Sequence, residues 1–167
     1  MALFLSPSNQ QKLVNVKETK RETVLCLAAA HALVQLDDGT VVGDPMEKAA
    51  LEALGWHLAK GDKVLPNPPT AETSNGSAQS SMSAQGPEIT IRRRFAFSSA
   101  LKRMSTVSSM KGGRGLAAVK GAPETIKTML STVPQGYDET YKSFTRKGSR
   151  VLALGMREMD SISNEKV

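Results

Sequence analysis

The chain has 167 residues, of which 40% are apolar and 23% charged, and its 22 Lys and Arg side chains outnumber its 16 Asp and Glu. This composition favours one domain with a buried core over a disordered chain, and the single cysteine, Cys26, excludes both an internal disulfide framework and a structural zinc site. The charge is uneven, because residues 87–167 carry 15 basic and 7 acidic side chains, and this suggests an anionic partner.

Two helices are predicted in the first third of the chain. Residues 22–34 are rich in Ala and Leu and predict a buried helix too short to span a membrane, ended by the turn sequence Asp-Asp-Gly at 37–39. A second helix has Asp44 as its N-cap, Pro45 at its first position and Glu47 as the acidic member of a capping box, and it runs to the next glycine. One face of this helix holds residues at helical spacing: Met46, Ala50, Ala53, Leu54 and His57.

A loop and then strands are predicted in the middle of the chain. Residues 61–87 are rich in Pro and Ser and predict a mobile, disordered loop between two structured parts. Residues 89–98 alternate with period two and predict a half-buried strand. One of its two rows of side chains is Ile89, Ile91, Arg93, Phe95 and Phe97. Residues 104–110 and 116–120 flank a glycine-rich turn and predict a hairpin.

Helices and one more strand are predicted in the C-terminal part. Residues 121–130 predict a helix that opens at Gly-Ala-Pro, and residues 138–147 predict another. A strand is expected at 150–154, followed by a frayed tail at 158–167. Because helices and strands do not alternate strictly, the predicted fold class is α+β, an antiparallel β-sheet flanked by helices in a single domain over residues 1–167.

Several common site motifs are absent or out of place. The sequence Gly-Arg-Gly-Leu-Ala-Ala at 113–118 fits a dinucleotide fingerprint only formally, because it lies in the predicted hairpin and leads into a strand. The chain contains no GxxxxGK[ST] phosphate-binding loop. Two histidines, His31 and His57, with one cysteine do not make a convincing metal site.

Four segments that are far apart in the sequence form one pattern. They are Gly-Asp-Pro-Met-Glu-Lys-Ala at 43–49, Phe-Ser-Ser-Ala-Leu-Lys-Arg-Met-Ser at 97–105, Lys-Gly-Ala-Pro-Glu at 120–124 and Gly-Ser-Arg-Val-Leu-Ala-Leu at 148–154. Together and in this order they resemble the nucleotide-binding (N) domain of P-type ATPases. The first two segments look most like the type V pumps, subgroup A, of the endoplasmic reticulum.

The resemblance implies an ATP site, and chemistry explains its residue types. Phe97 offers a flat apolar face on which adenine can stack, and Lys102 and Lys120 are cations for the purine and the phosphates. Glu47 is an acceptor suited to the exocyclic amine of adenine, and Gly121 lets the backbone approach the ring. By the same resemblance, an arginine that reaches the phosphates and two apolar pocket walls complete the site: Arg150, Met104 and Leu152.

The resemblance also implies how this chain would work within a longer protein. ATP, with Mg in the full-length enzyme, would be bound here and its γ-phosphate passed to an aspartate of a separate phosphorylation domain. Nothing in the chain matches the Asp-Lys-Thr-Gly-Thr phosphorylation loop or the actuator's Thr-Gly-Glu, so the chain is expected to have no catalytic residue, no metal ligand and no turnover of its own.

The partners and location follow from the same resemblance. The expected partners are ATP and the phosphorylation and actuator domains of the parent protein, with no nucleic acid, no direct membrane contact and a monomeric state. The parent is expected at the cytosolic face of the endoplasmic reticulum membrane, where it would extract mistargeted transmembrane helices, while the chain itself is soluble.

Purely structural interpretations of the same residues remain open. Phe97 continues an alternation that would place it in the core, Glu47 completes a capping box, and Arg150 can cover a helix C-terminus. Ser99 stands where many P-type pumps carry an arginine, so Arg150 or Arg103 is expected to make that phosphate contact instead.

Two other functions also remain open. One is a small basic nucleic-acid-binding module that uses residues 92–94, Lys102 and Arg103. If the chain is such a module, its affinity for nucleic acid should fall steeply with salt and it should show no preference for adenine. The other is the N domain of an ion-transporting P-type ATPase.

Overall fold

The computed structural model describes residues 15–68 and 86–161, which form four α-helices and eight β-strands. After a short 3₁₀ turn at Val16–Glu18, the helices are α1 (Arg21–Ala29), α2 (Pro45–Leu54), α3 (Pro123–Lys127) and α4 (Tyr137–Arg146). The strands are β1 (Val34–Gln35), β2 (Val41–Val42), β3 (Trp56–Ala59), β4 (Lys63–Pro66), β5 (Ile89–Ser98), β6 (Arg103–Met110), β7 (Gly115–Gly121) and β8 (Ala153–Met159). Strands β1 and β2 form a small hairpin, and the other six form one antiparallel sheet in the order β3-β4-β5-β6-β7-β8. The predicted α+β class, an antiparallel sheet flanked by helices, is therefore confirmed.

The six-stranded sheet has two faces, which we call the core face and the outer face. The core face carries Thr106 and Ala118 and packs against α1, whose Ala29 carbonyl accepts a hydrogen bond from the Thr106 hydroxyl at 3.0 Å. Successive side chains of a strand point to opposite faces. Gly155 therefore belongs to the outer face, where a Cβ would meet Leu130 just after α3. Helices thus lie on both faces of the sheet.

The hydrophobic core lies between α1, α2 and the core face. Its largest fully buried apolar side chains are Trp56, Leu25, Leu33, Leu54, Ile89 and Leu116. Helix α1 contributes several small residues, so its backbone can approach the sheet closely. None of the helices in the described ranges is both long and apolar enough to cross a membrane.

Helix α2 and the central hairpin form where the sequence predicts them. The Asp44 carboxylate accepts hydrogen bonds from the backbone N–H groups of Met46, at 2.8 Å, and Glu47, at 3.2 Å, as an N-cap should. Gly55 ends the helix at a φ of 73°, in the left-handed region that glycine adopts without strain. Strands β6 and β7 pair antiparallel around the glycine-rich turn.

The first helix is shorter than predicted. It ends at Ala29 instead of continuing to residue 34, and the Asp-Asp-Gly turn joins β1 to β2. His31 gives the physical reason, because its Nδ1 accepts the backbone N–H of Leu33 at 3.2 Å and so satisfies a group that the helix would otherwise have bonded. An apolar run of this length predicts burial but does not distinguish a helix from an extended segment.

The face predicted for α2 is only partly the buried one, because it contains Leu54 but not Leu51. Leu51 and Leu54 are buried, whereas Met46 and Ala53 are exposed and His57 lies exposed on β3. Two leucines bury more apolar area than the alanines beside them, and this fixes the rotation of the helix about its axis.

Part of the predicted loop at 61–87 is strand. Residues 63–66 form β4, which pairs with β3, and buried Val64 lies opposite Ile89 of β5. A tight turn with φ of 78° at Gly61 and 57° at Asp62 permits this hairpin. Strand β4 pairs with β5, which follows the predicted loop in the sequence, so the local sequence around residues 63–66 does not indicate this strand. Residues 69–85 of the predicted loop lie outside the described residues.

The last strand begins and ends later than predicted. Strand β8 pairs with β7 from Ala153, opposite Gly121, to Met159, opposite Gly115, so the length of β7 sets its bounds. The first two residues of the predicted tail at 158–167 are therefore strand, while residues 162–167 lie outside the described part of the chain. Helix α3 ends at residue 127 instead of 130, and α4 agrees with its prediction to within a residue at each end.

Candidate functional site

Most of the predicted site residues meet at one end of the six-stranded sheet. Antiparallel pairing places Ser98 opposite Arg103, Arg103 opposite Gly121 and Gly121 opposite Ala153. The turn between β5 and β6, the end of β7 and the start of β8 therefore lie side by side. This sheet end joins three of the four segments that formed the sequence pattern. The first segment, residues 43–49, lies at the start of α2.

Phe97 is exposed at this sheet end and lies in a bulge of β5. Phe95 lies opposite Ser105 and Ser98 opposite Arg103, so two residues, Ala96 and Phe97, share the place opposite Met104. The bulge shifts the alternation, and the Phe97 ring is 63% exposed. The structural interpretation that puts Phe97 in the core is therefore wrong, as is the simple alternation predicted for the end of this strand.

Glu47 and Lys120 form an ion pair in which both side chains are mostly buried. The Lys120 Nζ donates to Glu47 Oε1 at 2.6 Å, and the two side chains are 14% and 10% exposed. The other carboxylate oxygen, Oε2, accepts the backbone N–H of Ala32 at 2.9 Å. Glu47 thus connects α2 to β7 and to the segment after α1, instead of serving as the acidic half of a capping box.

Lys120 lies on the core face next to Met104, which is directly opposite on β6 and buried. Because Phe97 shares the place opposite Met104 on the neighbouring strand, Phe97 and Lys120 are two strands apart, about 10 Å between backbones. Phe97, Met104 and Lys120 therefore lie on three adjacent strands at this sheet end, and Glu47 contacts the lysine.

Lys102 and Gly121 are held together in the turn region. Lys102 has a φ of 49°, is exposed, and places its Nζ 3.5 Å from the Glu124 carboxylate. A Cβ on Gly121 would lie 2.4 Å from the Lys102 carbonyl oxygen, so no larger residue fits without moving the turn. A glycine is therefore required at position 121 because β7 lies so close to the turn. The sequence motif suggested a different reason, the close approach of a ligand ring.

Arg150 and Leu152 precede β8 and are not joined to this group by their side chains. Arg150 is exposed and has no ion pair within the described residues. Leu152 is half-buried and lines a cavity of about 190 Å³ together with Tyr137, Tyr141 and Leu130. This cavity has neither Phe97, Glu47 nor Lys120 in its wall.

The part of the chain that the structure describes contains no assembled metal site. Among residues 15–68 and 86–161, no group of three His, Cys, Asp or Glu is placed to hold a metal ion. His31, which the sequence did not favour as a metal ligand, is buried, and burial together with the charges of Arg94 and Lys120 lowers its pKa to about 4. It is therefore a neutral core residue at neutral pH.

Sequence reasoning missed two partners of the site. The N–H of Ala32, which binds Glu47, carries no signal in the sequence because any residue has a backbone donor. Arg94 donates to the Leu33 carbonyl at 3.4 Å and pairs with Asp62 at 2.9 Å, so one arginine of the 92–94 run is a packed residue. Its basic type alone does not distinguish Arg94 from the two exposed arginines that precede it.

Comparison with known proteins identifies the family. The family model for P-type ATPase, cytoplasmic domain N, matches residues 15–166. The chain is 45% identical over 159 residues to the endoplasmic reticulum transmembrane helix translocase of Saccharomyces cerevisiae and 46% identical over 157 residues to the endoplasmic reticulum transmembrane helix translocase spfA of Aspergillus fumigatus. It is 42% identical over 137 residues to the probable manganese-transporting ATPase PDR2 of Arabidopsis thaliana.

These matches cover 95%, 85% and 82% of this chain but only 12%, 11% and 10% of the three relatives. The chain thus spans a small part of the length of the relatives it matches. The four-segment pattern, the antiparallel sheet and the family match agree with one another. The chain belongs to the family of P-type ATPase cytoplasmic N domains.

Proposed function

We propose that this chain binds ATP at the sheet end formed by β5, β6 and β7 and positions the γ-phosphate for transfer to an aspartate on a separate phosphorylation domain. The exposure of Phe97 is the observation that carries this proposal. A phenylalanine ring that is 63% exposed leaves an apolar face open to a ligand at the sheet end where the motif residues meet. A planar base stacked on the ring would cover that surface.

The charged residues around Phe97 suit a nucleotide. Lys102 is exposed at the turn, and Lys120 presents a positive charge two strands away. Arg103 lies at this sheet end in the strand pairing and Arg150 precedes β8, and we assign the phosphate contact to one of them. Leu152, which lines another cavity, is the weakest member of the proposed ATP site. The remaining proposed members are Glu47, Met104 and Gly121.

The proposed mechanism is positioning. The chain holds the base while motion of the whole domain brings the phosphate to its acceptor, and Mg accompanies the triphosphate in the full-length enzyme. We expect weak binding, with a dissociation constant of about 1 mM, because one stack and a few exposed contacts must offset the cost of association. We expect no ATP hydrolysis by this chain alone.

We further infer that the parent protein is a translocase that removes mistargeted transmembrane helices at the endoplasmic reticulum membrane. The printed names of the relatives at 45% and 46% identity support this substrate. The relative at 42% identity is described as a probable manganese-transporting ATPase, so ion transport is the second candidate for the parent. The phosphorylation and actuator domains are the proposed partners, and we expect the chain to be monomeric.

Titration of the chain with ATP, followed by nuclear magnetic resonance, tests the proposal. We expect shifts of the backbone signals of Phe97, Lys120 and Gly121. The variant Phe97→Ala should weaken ATP binding by about tenfold or more, because base–aromatic stacking contributes about 1–3 kcal/mol per base. Its free energy of unfolding should change by less than about 0.5 kcal/mol, since the ring is exposed.

The matched control is Phe95→Ala. Phe95 is also exposed, at 47%, but it faces the outer side of the sheet, under the Arg93 guanidinium at 5.2 Å. This variant should bind ATP as the unmodified chain does. Equal losses in the two variants, or no shifts near Phe97, would show that the ATP site lies elsewhere or is absent.

The nucleic-acid alternative has some support, because Arg92 and Arg93 are exposed. Arg94, however, is engaged by Asp62 and is not available to a phosphate backbone. Competition between ATP, GTP and an oligonucleotide separates the two functions. Oligonucleotide binding that falls steeply with salt, without a preference for adenine, would favour the nucleic-acid module over the proposal.

A further inference from the structure

We propose that the outer face of the six-stranded sheet is a docking surface for an acidic amphipathic helix of a partner protein. This inference does not depend on the proposed ATP site, which lies at one end of the sheet. The observation behind it is a row of four side chains across the outer face, in which two arginines flank two smaller residues: Arg93, Val107, Ala117 and Arg157.

Strand pairing fixes the order of this row. Arg93 on β5 lies opposite Val107 on β6, which lies opposite Ala117 on β7. Ala117 in turn lies opposite Arg157 on the edge strand β8. Val107 and Ala117 each adjoin a core-face residue in the chain, so their side chains point to the outer face. The row therefore crosses four adjacent strands on one face of the sheet.

The row forms a shallow trough with small residues on its floor and long basic side chains as its walls. The floor residues, Val107 and Ala117, are half-buried, whereas Arg93 and Arg157 are exposed. Strands β5 and β8 are three strand spacings apart, about 14 Å. A helix with its side chains is about 10–12 Å across, so one helix fits along the floor between the two walls. At one end of the trough, α3 packs on β7 and β8.

The charges of the trough favour an acidic partner. Within the described residues, Arg93 and Arg157 make no ion pair. Arg92, beside Arg93, is also exposed and donates its Nε to a serine hydroxyl at 2.9 Å. The carboxylate next to Arg157 in the chain, that of Glu158, belongs to the core face and pairs there with Arg21 at 2.7 Å. The walls thus present positive charge that carboxylates of a partner can neutralise.

The floor favours a protein helix over a nucleic acid. Single-stranded nucleic acids bind to aromatic rings on which their bases stack, and the floor residues Val107 and Ala117 are aliphatic. The ring of Phe95, in the next row, already lies against the Arg93 guanidinium at 5.2 Å. An amphipathic helix offers apolar side chains for the floor and carboxylates on both flanks for the two walls.

The experiment uses a fluorescein-labelled synthetic peptide of about 18 residues, with a leucine face flanked on both sides by glutamates. A matched peptide carries lysine in place of every glutamate. Fluorescence anisotropy measures the affinity of the 167-residue chain for each peptide. We expect the acidic peptide to bind with a dissociation constant of about 100 µM or lower, and the lysine peptide to bind about tenfold more weakly or less.

Variants of the chain test whether the trough is the binding surface. Arg93→Glu and Arg157→Glu should each weaken binding of the acidic peptide about tenfold, because each places a like charge against the glutamates. Ala117→Gln keeps the net charge but fills the floor, and it should also weaken binding. Lys60→Glu, in the exposed turn between β3 and β4, makes the same charge change as the arginine variants and should bind as the unmodified chain does. Thermal unfolding confirms that each variant folds.

The outcomes that would overturn the proposal are distinct from those that concern ATP. Failure of the unmodified chain to bind the acidic peptide would overturn it. Equal losses in Lys60→Glu and the arginine variants, or full affinity in Ala117→Gln, would show that net charge alone attracts the peptide. A single-stranded oligonucleotide that displaces the peptide, and that binds more weakly to Arg93→Glu, would assign the face to nucleic acid instead. Titration of Arg157→Glu with ATP should still shift the signals near Phe97, so the docking surface and the ATP site are tested separately.

Discussion

His31 illustrates how surroundings decide the chemistry of a single side chain. Its ring is buried, its Nδ1 accepts the Leu33 N–H, and its Nε2 has no hydrogen-bond partner among the described residues. Burial disfavours the charged ring, and the positive charges of Arg94 and Lys120 add to this effect, so its pKa falls from 6.5 to about 4. The sequence argued against a metal site at this histidine but did not indicate that the ring is buried and neutral.

This lowered pKa predicts that the chain loses stability in mild acid. Below pH 6.5 His31 is protonated in the unfolded chain but stays neutral in the folded chain. The free energy of unfolding therefore falls as the pH drops from 6.5 towards 4. Between pH 7.5 and pH 5 the expected loss is about 2 kcal/mol. Urea unfolding at the two pH values measures it. His31→Gln removes the titrating ring and should show a clearly smaller loss; an equal loss in both would assign the effect to other groups.

At the same scale, the site residues differ in how well the sequence identifies them. The aromatic type of Phe97 and its motif suggested a ring that stacks on a base, whereas the alternation of β5 predicted a core position. The structure shows that the register of β5 shifts and that Phe97 is exposed. The pairing of Glu47 with Lys120 joins residues 73 positions apart and was not predictable from either local context. The motif named the right residues because their chemistry is characteristic, while their partners depend on the fold.

Among the elements, α2 is the one that local sequence determines most fully. Its N-cap, its first-turn proline and its C-terminal glycine are all where the sequence placed them. Strand β5 is the opposite case, because its two register shifts, after Ile91 and after Phe95, carry no local signal. Capping acts through neighbouring backbone groups, whereas a bulge depends on the partner strand.

The cap of α2 gives a prediction for this element. Asp44→Ala removes the acceptor for the N–H groups of Met46 and Glu47 and should lower the free energy of unfolding by about 1 kcal/mol. Urea unfolding measures this, and Asp37→Ala is the control, because Asp37 is exposed in the turn between β1 and β2 and a surface change there should cost less than about 0.5 kcal/mol. Equal losses in the two variants would show that the cap contributes nothing.

Helix α1 packs across the sheet from β5 to the edge strand β8. Cys26 on this helix is buried, and its thiol donates to the Gly155 carbonyl on β8 at 3.3 Å. Burial raises the pKa of the thiol to about 12, so almost no reactive thiolate forms at neutral pH. Access to this sulfur requires that α1 leave the sheet.

Cys26 should therefore report on unfolding of the entire domain. At pH 7.5 a thiol reagent such as Ellman's reagent should label the folded chain very slowly, and the labelling rate should rise with urea in step with global unfolding. The chain in denaturing urea gives the rate for full access. Rapid labelling without urea, independent of urea concentration, would show instead that α1 opens locally.

The sequence by itself determined the α+β class, the capped helix α2, the hairpin of β6 and β7, and the four segments that mark a P-type ATPase N domain. These features rest on caps, turns, alternation and residue type, which act over a few neighbouring positions. The tertiary structure alone decided where the first helix ends, that residues 63–66 form a strand, that Phe97 is exposed, and that Glu47 binds Lys120 and Ala32. Each of these depends on strand register or on partners distant in the chain, and their free energy arises only when the sheet and α1 pack together.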